Sequence, residues 1–333
     1  MTSKRIRYVG LVGAIAASLT LAACSTDATE TGATDATDAA AASTVTVEDN
    51  NGTQTISTPI ETVVSLDNRT FETLSSWGIE LAAAPVDLMP DTIPYTTDDS
   101  IVNIGNHREP DLEALAAVEP DLVIMGQRFG DYEADIAELV PDATIINLEP
   151  RDGESFAEEL KRQTTVLGEI FGKQAEAEEL NSAFDEAYDR VAAAYPEGDT
   201  VMAVNTSGGS IGYLAPTVGR TLGPLFDWFE FEPALVVEGA SDNHEGDEVS
   251  VEAIAESNPD WILVMDRDAA VGSDEEGYQP GAELVKNHEA LANVTAVQED
   301  HIVVMPADTY TNEGVQTYTE YLNSLADAFE NAA

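Results

Sequence analysis

The stretch from Glu154 to Tyr195 constrains this chain more than any other. Apolar residues and one threonine recur there at helical spacing: Phe156, Leu160, Thr164, Leu167, Ile170 and Phe171, then Ala177, Leu180, Phe184, Tyr188 and Val191. No proline interrupts the run, and only Gly168 and Gly172 loosen it. An unbroken helix of this length spans roughly 60 Å, more than one small domain needs. Pro196-Glu197-Gly198-Asp199 ends it, and a strand over Val201–Asn205 follows. Residues 154–195 therefore predict a helical spine joining two lobes, with a kink expected near Gly172.

The chain ahead of the spine begins with a leader. Lys4, Arg5 and Arg7 precede an apolar run from Tyr8 to Leu21, which closes on Leu21-Ala22-Ala23-Cys24. A positive start, a short apolar centre and small residues before a cysteine read as a secretory signal over residues 1–23. The run is shorter than the ~20 residues of a membrane span. Cys24 is the only cysteine, so no internal disulfide forms. The pattern resembles a bacterial lipobox, which implies that Cys24 becomes lipidated and anchors the chain outside the cytoplasmic membrane. Residues 24–43, mostly Ala, Thr and Asp, have little to bury and predict a disordered acidic tether. About 290 residues remain from Thr44 onward, enough for an amino-terminal lobe (44–153) and a carboxy-terminal lobe (196–333) of ordinary size.

Charge narrows the partners. All 63 acidic residues follow Cys24, with only 11 of the 14 basic ones, so that portion carries a net charge of −52. Such a surface argues against nucleic acid and anionic lipid as partners. In a chain this acidic, each arginine becomes informative.

Both lobes read as alternating strands and helices. In the first, strands are expected at Val63–Leu66, Leu122–Met125 and Thr144–Leu148, with helices at Thr70–Trp77, Leu112–Val118 and Tyr132–Leu139. That alternation defines an α/β class with mostly parallel sheets. Within it, residues 113–128 parallel residues 252–267: each runs helix, Pro-Asp turn, buried strand and arginine, with 15 positions from glutamate to arginine. A weaker parallel sets Arg69-Thr70 with Leu74 and Trp77 against Arg220-Thr221 with Leu225 and Trp228. Ligands of open α/β sheets gather beyond the carboxyl ends of the strands. Arg128 and Arg267 follow such strands and are expected to project between the lobes. Arg220 precedes an expected helix over Thr221–Phe229, whose start favours anions. The cleft is thus expected to bind an anion.

These stretches resemble the substrate-binding lipoproteins of iron-siderophore ABC importers, the class III periplasmic-binding-protein family, and within it the catecholate or petrobactin-type subgroup. The resemblance is carried by Ile104–Leu115, Pro120–Met125 with Arg128, Gly219-Arg220, Asn258-Pro259-Asp260 and Val264–Gly272, and covers about Val45 to Phe329. It implies two Rossmann-like α/β lobes bridged by a long helix, with no catalysis and no intrinsic cofactor. The expected ligand is ferric iron as a siderophore complex. A monomer is expected, docking on an ABC transporter permease dimer. In the subgroup three arginines surround the trianionic ferric chelate, and they fall on Arg128, Arg220 and Arg267. Arginine suits the task because it stays charged and its planar fork stacks on aromatic faces. Some members add a histidine and a tyrosine as direct iron ligands, here His244 and Tyr310. Arg69 and Arg108 are secondary candidates for the cleft.

Other readings compete. Gly208-Gly209-Ser210-Ile211-Gly212 fits a nucleophile-elbow pattern with His301 downstream, which would suit a secreted serine hydrolase. Here, however, Ser210 to Leu214 read as the return strand of a hairpin. Four histidines at 107, 244, 288 and 301 lack the short spacing of a free-metal site. Haem, cobalamin and hydroxamate siderophores would share the fold and the transport role. The arginine count favours the more anionic catecholate.

Overall fold

The computed structural model describes residues 43–332; the signal segment, Cys24 and the tether up to residue 42 lie outside the described residues. The chain opens with an antiparallel hairpin of β1 (Ser43–Asp49) and β2 (Gly52–Thr58), which buries Val47 and Ile56. The amino-terminal lobe follows, with β3 (Val63–Ser65), α1 (Phe71–Ser76), β4 (Ala83–Ala84), β5 (Val102–Asn103), α2 (Leu112–Ala117), β6 (Leu122–Met125), α3 (Glu133–Leu139) and β7 (Thr144–Asn147). Its strands form a parallel sheet in the order β5-β4-β3-β6-β7.

Two helices come next, α4 (Phe156–Phe171) and α5 (Gln174–Ala194). The second lobe contains β8 (Thr200–Ser207), β9 (Ser210–Leu214), α6 (Pro224–Phe229), β10 (Glu232–Pro233), α7 (Val251–Ser257), β11 (Trp261–Asp266), α8 (Arg267–Val271), α9 (Gly281–Asn287), α10 (Thr295–Gln298) and β12 (Ile302–Val304). Helix α11 (Val315–Ala332) closes the chain. Strands run β10-β8-β11-β12 in parallel, with β9 antiparallel on β8. The repeated sequences occupy matching places: β6 lies between β3 and β7, and β11 between β8 and β12.

Each sheet feeds two cores, because side chains alternate between its faces. Val63, Leu122, Ile124 and Ile146 face one way, and Val64, Val123 and Met125 the other. In the second lobe Val201, Ala203 and Leu263 separate in the same manner from Met202, Val204 and Ile262. The central strands β3, β6 and β11 are buried on both faces, as apolar runs inside parallel sheets are.

The stretch 154–195 is two helices, not one long rod. Gly172 takes a left-handed conformation (φ 66°) at the end of α4, and α5 then runs back along it. Asn181 donates to Thr165 at 2.9 Å, and Lys161 pairs with Asp185 at 2.8 Å. Gly168 permits this reversal, since a Cβ there would stand 2.6 Å from the Ala177 methyl. Helix α4 still bridges the lobes: Ala157 and Leu160 pack in the second lobe's core, Val166, Leu167 and Ile170 in the first. Its 16 residues reach only ~24 Å, so the spine is short and doubled. Among the described residues no helix is long and apolar enough to cross a membrane.

Residues 311–316, the turn before α11 and its first two residues, seal the lobes together. Asn68 donates to the Thr311 carbonyl, Thr73 to Gln316 and Asn312 to Glu72, each at 2.8 Å. Gly314 fits because any Cβ would meet the Arg69 carbonyl at 2.7 Å.

Candidate functional site

A cavity of about 780 Å³ opens between the lobes, at the carboxyl ends of the central strands. At its heart is Tyr310, on a short 3₁₀ turn beyond β12 and only 8 % exposed. Three guanidinium groups surround that ring: Arg220 at 4.6 Å from its centroid, Arg267 at 5.1 Å and Arg128 at 5.5 Å. The sequence thus brings its three primary arginines together, one from the first lobe and two from the second.

Local structure explains each placement. Beyond β6 the chain turns at Gly126, where a Cβ would strike the Leu66 carbonyl, and Arg128 follows on a 3₁₀ turn. Arg267 is the first residue of α8, whose start is capped by the Asp266 carboxylate accepting from Ala269 N–H at 3.1 Å. Arg220 lies ahead of a helix that begins only at Pro224, because Thr221 takes a positive φ of 67°. The helix therefore starts three residues later than the sequence predicts. Arg220 thus stands clear of the helix terminus and presents only its side chain.

The three arginines differ in what they have spent. Arg220 donates to the Glu313 carboxylate, Nε at 3.0 Å, and to the Tyr310 carbonyl at 3.4 Å. Arg267 reaches Ser207 at 3.2 Å and Asp268 at 3.3 Å, while its Nε is buried without a partner. Arg128 donates to the Tyr310 carbonyl at 3.2 Å and has no carboxylate partner among the described residues. Burial, then the neighbouring Arg220 charge, pushes the Arg128 guanidinium below its ordinary value. Arginine does not discharge at working pH, so this cost is not relieved by a lost proton.

The remaining candidates divide. His244 and Arg108 line the same cavity; His244 is exposed, and its backbone carbonyl is held by buried Asn205 at 3.0 Å. Arg69 does not line this cavity. It faces an adjoining one of about 630 Å³, which shares Arg220 and His244 as a partition. There Arg69 stands 5.7 Å over Phe156 and pairs with Glu313 at 3.4 Å.

Two residues escaped the sequence reading. Glu313 is buried and holds both Arg69 and Arg220; burial alone would raise its carboxyl, but the two arginines outweigh it and hold it below the usual range. His107 lines the cavity, and burial followed by the Arg128 and Arg108 charges pushes its imidazole down, toward a neutral acceptor. A histidine next to an arginine, His107-Arg108, was a visible signal; Glu313 was one of 63 acids and gave none.

No elbow surrounds Ser210. It is the exposed first residue of β9, paired with Ser207 across a turn of Gly208 and Gly209. His301 instead stacks on Trp261 at 4.0 Å.

A two-lobed α/β protein whose inter-lobe cleft is lined with guanidinium groups has the architecture of a ligand-binding protein. Residues 63–309 match the family described as Periplasmic binding protein, and the chain belongs to that family. It is 25 % identical over 287 residues to the petrobactin-binding protein YclQ of Bacillus subtilis, covering 85 % of this chain and 86 % of that one. A TroA-like periplasmic binding protein from Xylanimonas cellulosilytica is 29 % identical, with a TM-score of 0.69 over 86 % of this chain and 99 % of the other. The fold also matches the periplasmic catecholate-siderophore binding protein VctP of Vibrio cholerae, at 23 % identity and a TM-score of 0.73, over 86 % of this chain and all (100 %) of that one.

Proposed function

We propose that the chain captures a ferric siderophore of catecholate type between its lobes and hands it to the permease dimer of an ABC importer. The observation that carries this reading is the ring of three guanidinium groups, all within 5.5 Å of the Tyr310 centroid and drawn from both lobes. Like charges so close repel one another, and an anionic chelate of planar aromatic rings relieves that repulsion while offering faces for arginine to stack on. Salt screens fields beyond roughly 8 Å, so these local charges govern the cleft despite the acidic exterior. The relatives that bind petrobactin and catecholate siderophores support the same ligand class.

In this reading His244 and Tyr310 complete the iron coordination when the chelator supplies four of six positions, and Arg108 and Arg69 assist at the margins. Cys24 carries the lipid anchor after removal of residues 1–23, the residues from there up to β1 form the tether, and the protein works as a monomer. Residues 44–153 and 196–333 form the lobes, and 154–195 the helices between them.

Tryptophan fluorescence of the full chain in detergent, titrated with a ferric tetradentate bis-catecholate, a ferric hexadentate catecholate, a ferric hydroxamate, haem and cobalamin, tests the proposal. Tight binding of the catecholates alone is expected. Binding only to the hydroxamate, haem or cobalamin would discard the catecholate assignment and keep the transport role.

A further inference from the structure

We propose that Glu313 is the positioning residue of the cleft, holding Arg220 over the Tyr310 ring while tying that arginine to the opposite lobe through Arg69. The inference rests on the ferric-chelate reading given above and deepens it. Glu313 is 6 % exposed and lies just ahead of α11, at the seam between the lobes. Its Oε1 accepts from Arg220 Nε at 3.0 Å and from the Thr221 hydroxyl at 2.8 Å, while its Oε2 takes Arg69 Nη2 at 3.4 Å. Arg69 belongs to the first lobe and Arg220 to the second, so one carboxylate joins a guanidinium from each.

Glu313 lines the second cavity but not the first, whereas Arg220 lines both. The carboxylate therefore backs Arg220 from behind and leaves its other face to the ligand. A long, flexible side chain carries considerable rotamer entropy, and a charged hydrogen bond on Nε fixes the plane of the fork before a ligand arrives. Pre-organisation of this kind slows ligand departure and does not require added charge. The carboxylate even subtracts one positive charge from the cleft, which separates its effect on placement from its effect on attraction.

The experiment compares Kd and rate constants for a ferric tetradentate bis-catecholate on the full chain in detergent. Glu313→Gln is expected to weaken binding about tenfold, the usual scale for one charge-assisted hydrogen bond. The loss is expected in the off-rate, while the on-rate holds or rises because a negative charge has gone. In an Arg220→Ala background the same substitution is expected to cost less than twofold. Glu72→Gln, which disturbs the seam at Asn312 and Gln316 without touching an arginine, is expected to leave affinity within twofold.

A Glu313→Gln protein that binds normally, or loses tenfold equally without Arg220, overturns the proposal, as does an equal loss in Glu72→Gln. Should Glu313→Gln fail to fold, Thr221→Val removes one of the carboxylate's supports, and a loss of about threefold that vanishes with Arg220→Ala is the matching result. If the unaltered chain does not bind the chelate, the ferric-chelate reading fails by itself. A crystal structure of Glu313→Gln then still decides the placement: Arg220 leaves the Tyr310 ring, or it stays and the proposal falls.

Discussion

Glu159, near the start of α4, and Glu313, at the lobe seam, are both buried carboxylates gripped by two guanidinium groups. Arg151 and Arg162 hold the first, each with its Nε at 3.0 Å; Arg69 and Arg220 hold the second. Around Glu159 the donors are spent on structure. Arg162 also reaches Asn50 and the Glu149 carbonyl, both at 3.0 Å, which fastens the hairpin and the end of β7 to the spine. Neither of its arginines lines either of the two cavities described above. Around Glu313 the arginines face open space, and the Arg69 Nε is buried with no partner. Burial and pairing are common to both clusters. What separates a clamp from a binding site is whether unspent donors look into a cavity.

The largest expected effect breaks the structural clamp. Hydrogen bonds from Arg151 and Arg162 overcome the effect of burial and hold the Glu159 carboxyl down at about 2, against an ordinary value of 4.5. A depressed folded-state value contributes stability above pH 4.5, which is lost as pH falls toward 2. Glu159→Gln should therefore lose about 3 kcal/mol at pH 7, with the deficit shrinking below pH 4.5, as read by urea unfolding across pH. Its ligand affinity should stay within twofold. A comparable loss of affinity would erase the distinction between the two clusters.

Removing an unspent arginine should show the opposite signature. Arg128→Ala is expected to weaken ferric-catecholate binding about a hundredfold, near 2.7 kcal/mol, since it deletes a buried charge that faces the ligand. Its melting temperature should hold or rise, because Arg128 is strained by burial and by Arg220. Arg162→Ala should lower the melting temperature and leave Kd unchanged. Calorimetry and fluorescence titration on the same two variants check both halves.

The contrast also marks how far sequence could reach. Strands such as Leu122–Met125 and Trp261–Asp266 announce themselves as short buried runs after a Pro-Asp turn, and an arginine just beyond one has only the cleft to enter. Ionic partnership leaves no periodic trace, so neither Glu159 nor Glu313 stood out among 63 acids. The weaker internal parallel, Arg69 against Arg220, gained its meaning only when both side chains met on Glu313. The reversal at Gly172 was hidden for another reason. A glycine within a helical pattern reads as a kink, and only the contact of Gly168 with Ala177 turns it into a hairpin. The opening hairpin did carry its signal, Val45 and Val47 alternating ahead of Asn50-Asn51-Gly52, a turn-forming sequence.

Glu149 is where the two clusters meet, and it gives the smallest and most selective prediction. Its backbone carbonyl accepts from Arg162, while its half-buried side chain feels Asp67, Arg69 and Glu133. Burial first, then the Asp67 charge, pushes its carboxyl up to about 7, with Arg69 opposing. A raised carboxyl value means that the folded state keeps its proton longer than the unfolded one. The associated stability is whole below pH 4.5 and is lost as pH rises through about 7. Glu149→Gln keeps the neutral form at every pH, so it should match the unaltered chain near pH 4.5 and exceed it by about 1 kcal/mol at pH 8, once screening of the half-exposed group is allowed for. Arg69 is left with Asp67 and Glu313, and Arg220 does not move, so affinity for the ferric bis-catecholate at pH 8 should change less than twofold. A gain in stability accompanied by a tenfold change in Kd would mean that the clamp on the spine and the cleft at the seam act as one network.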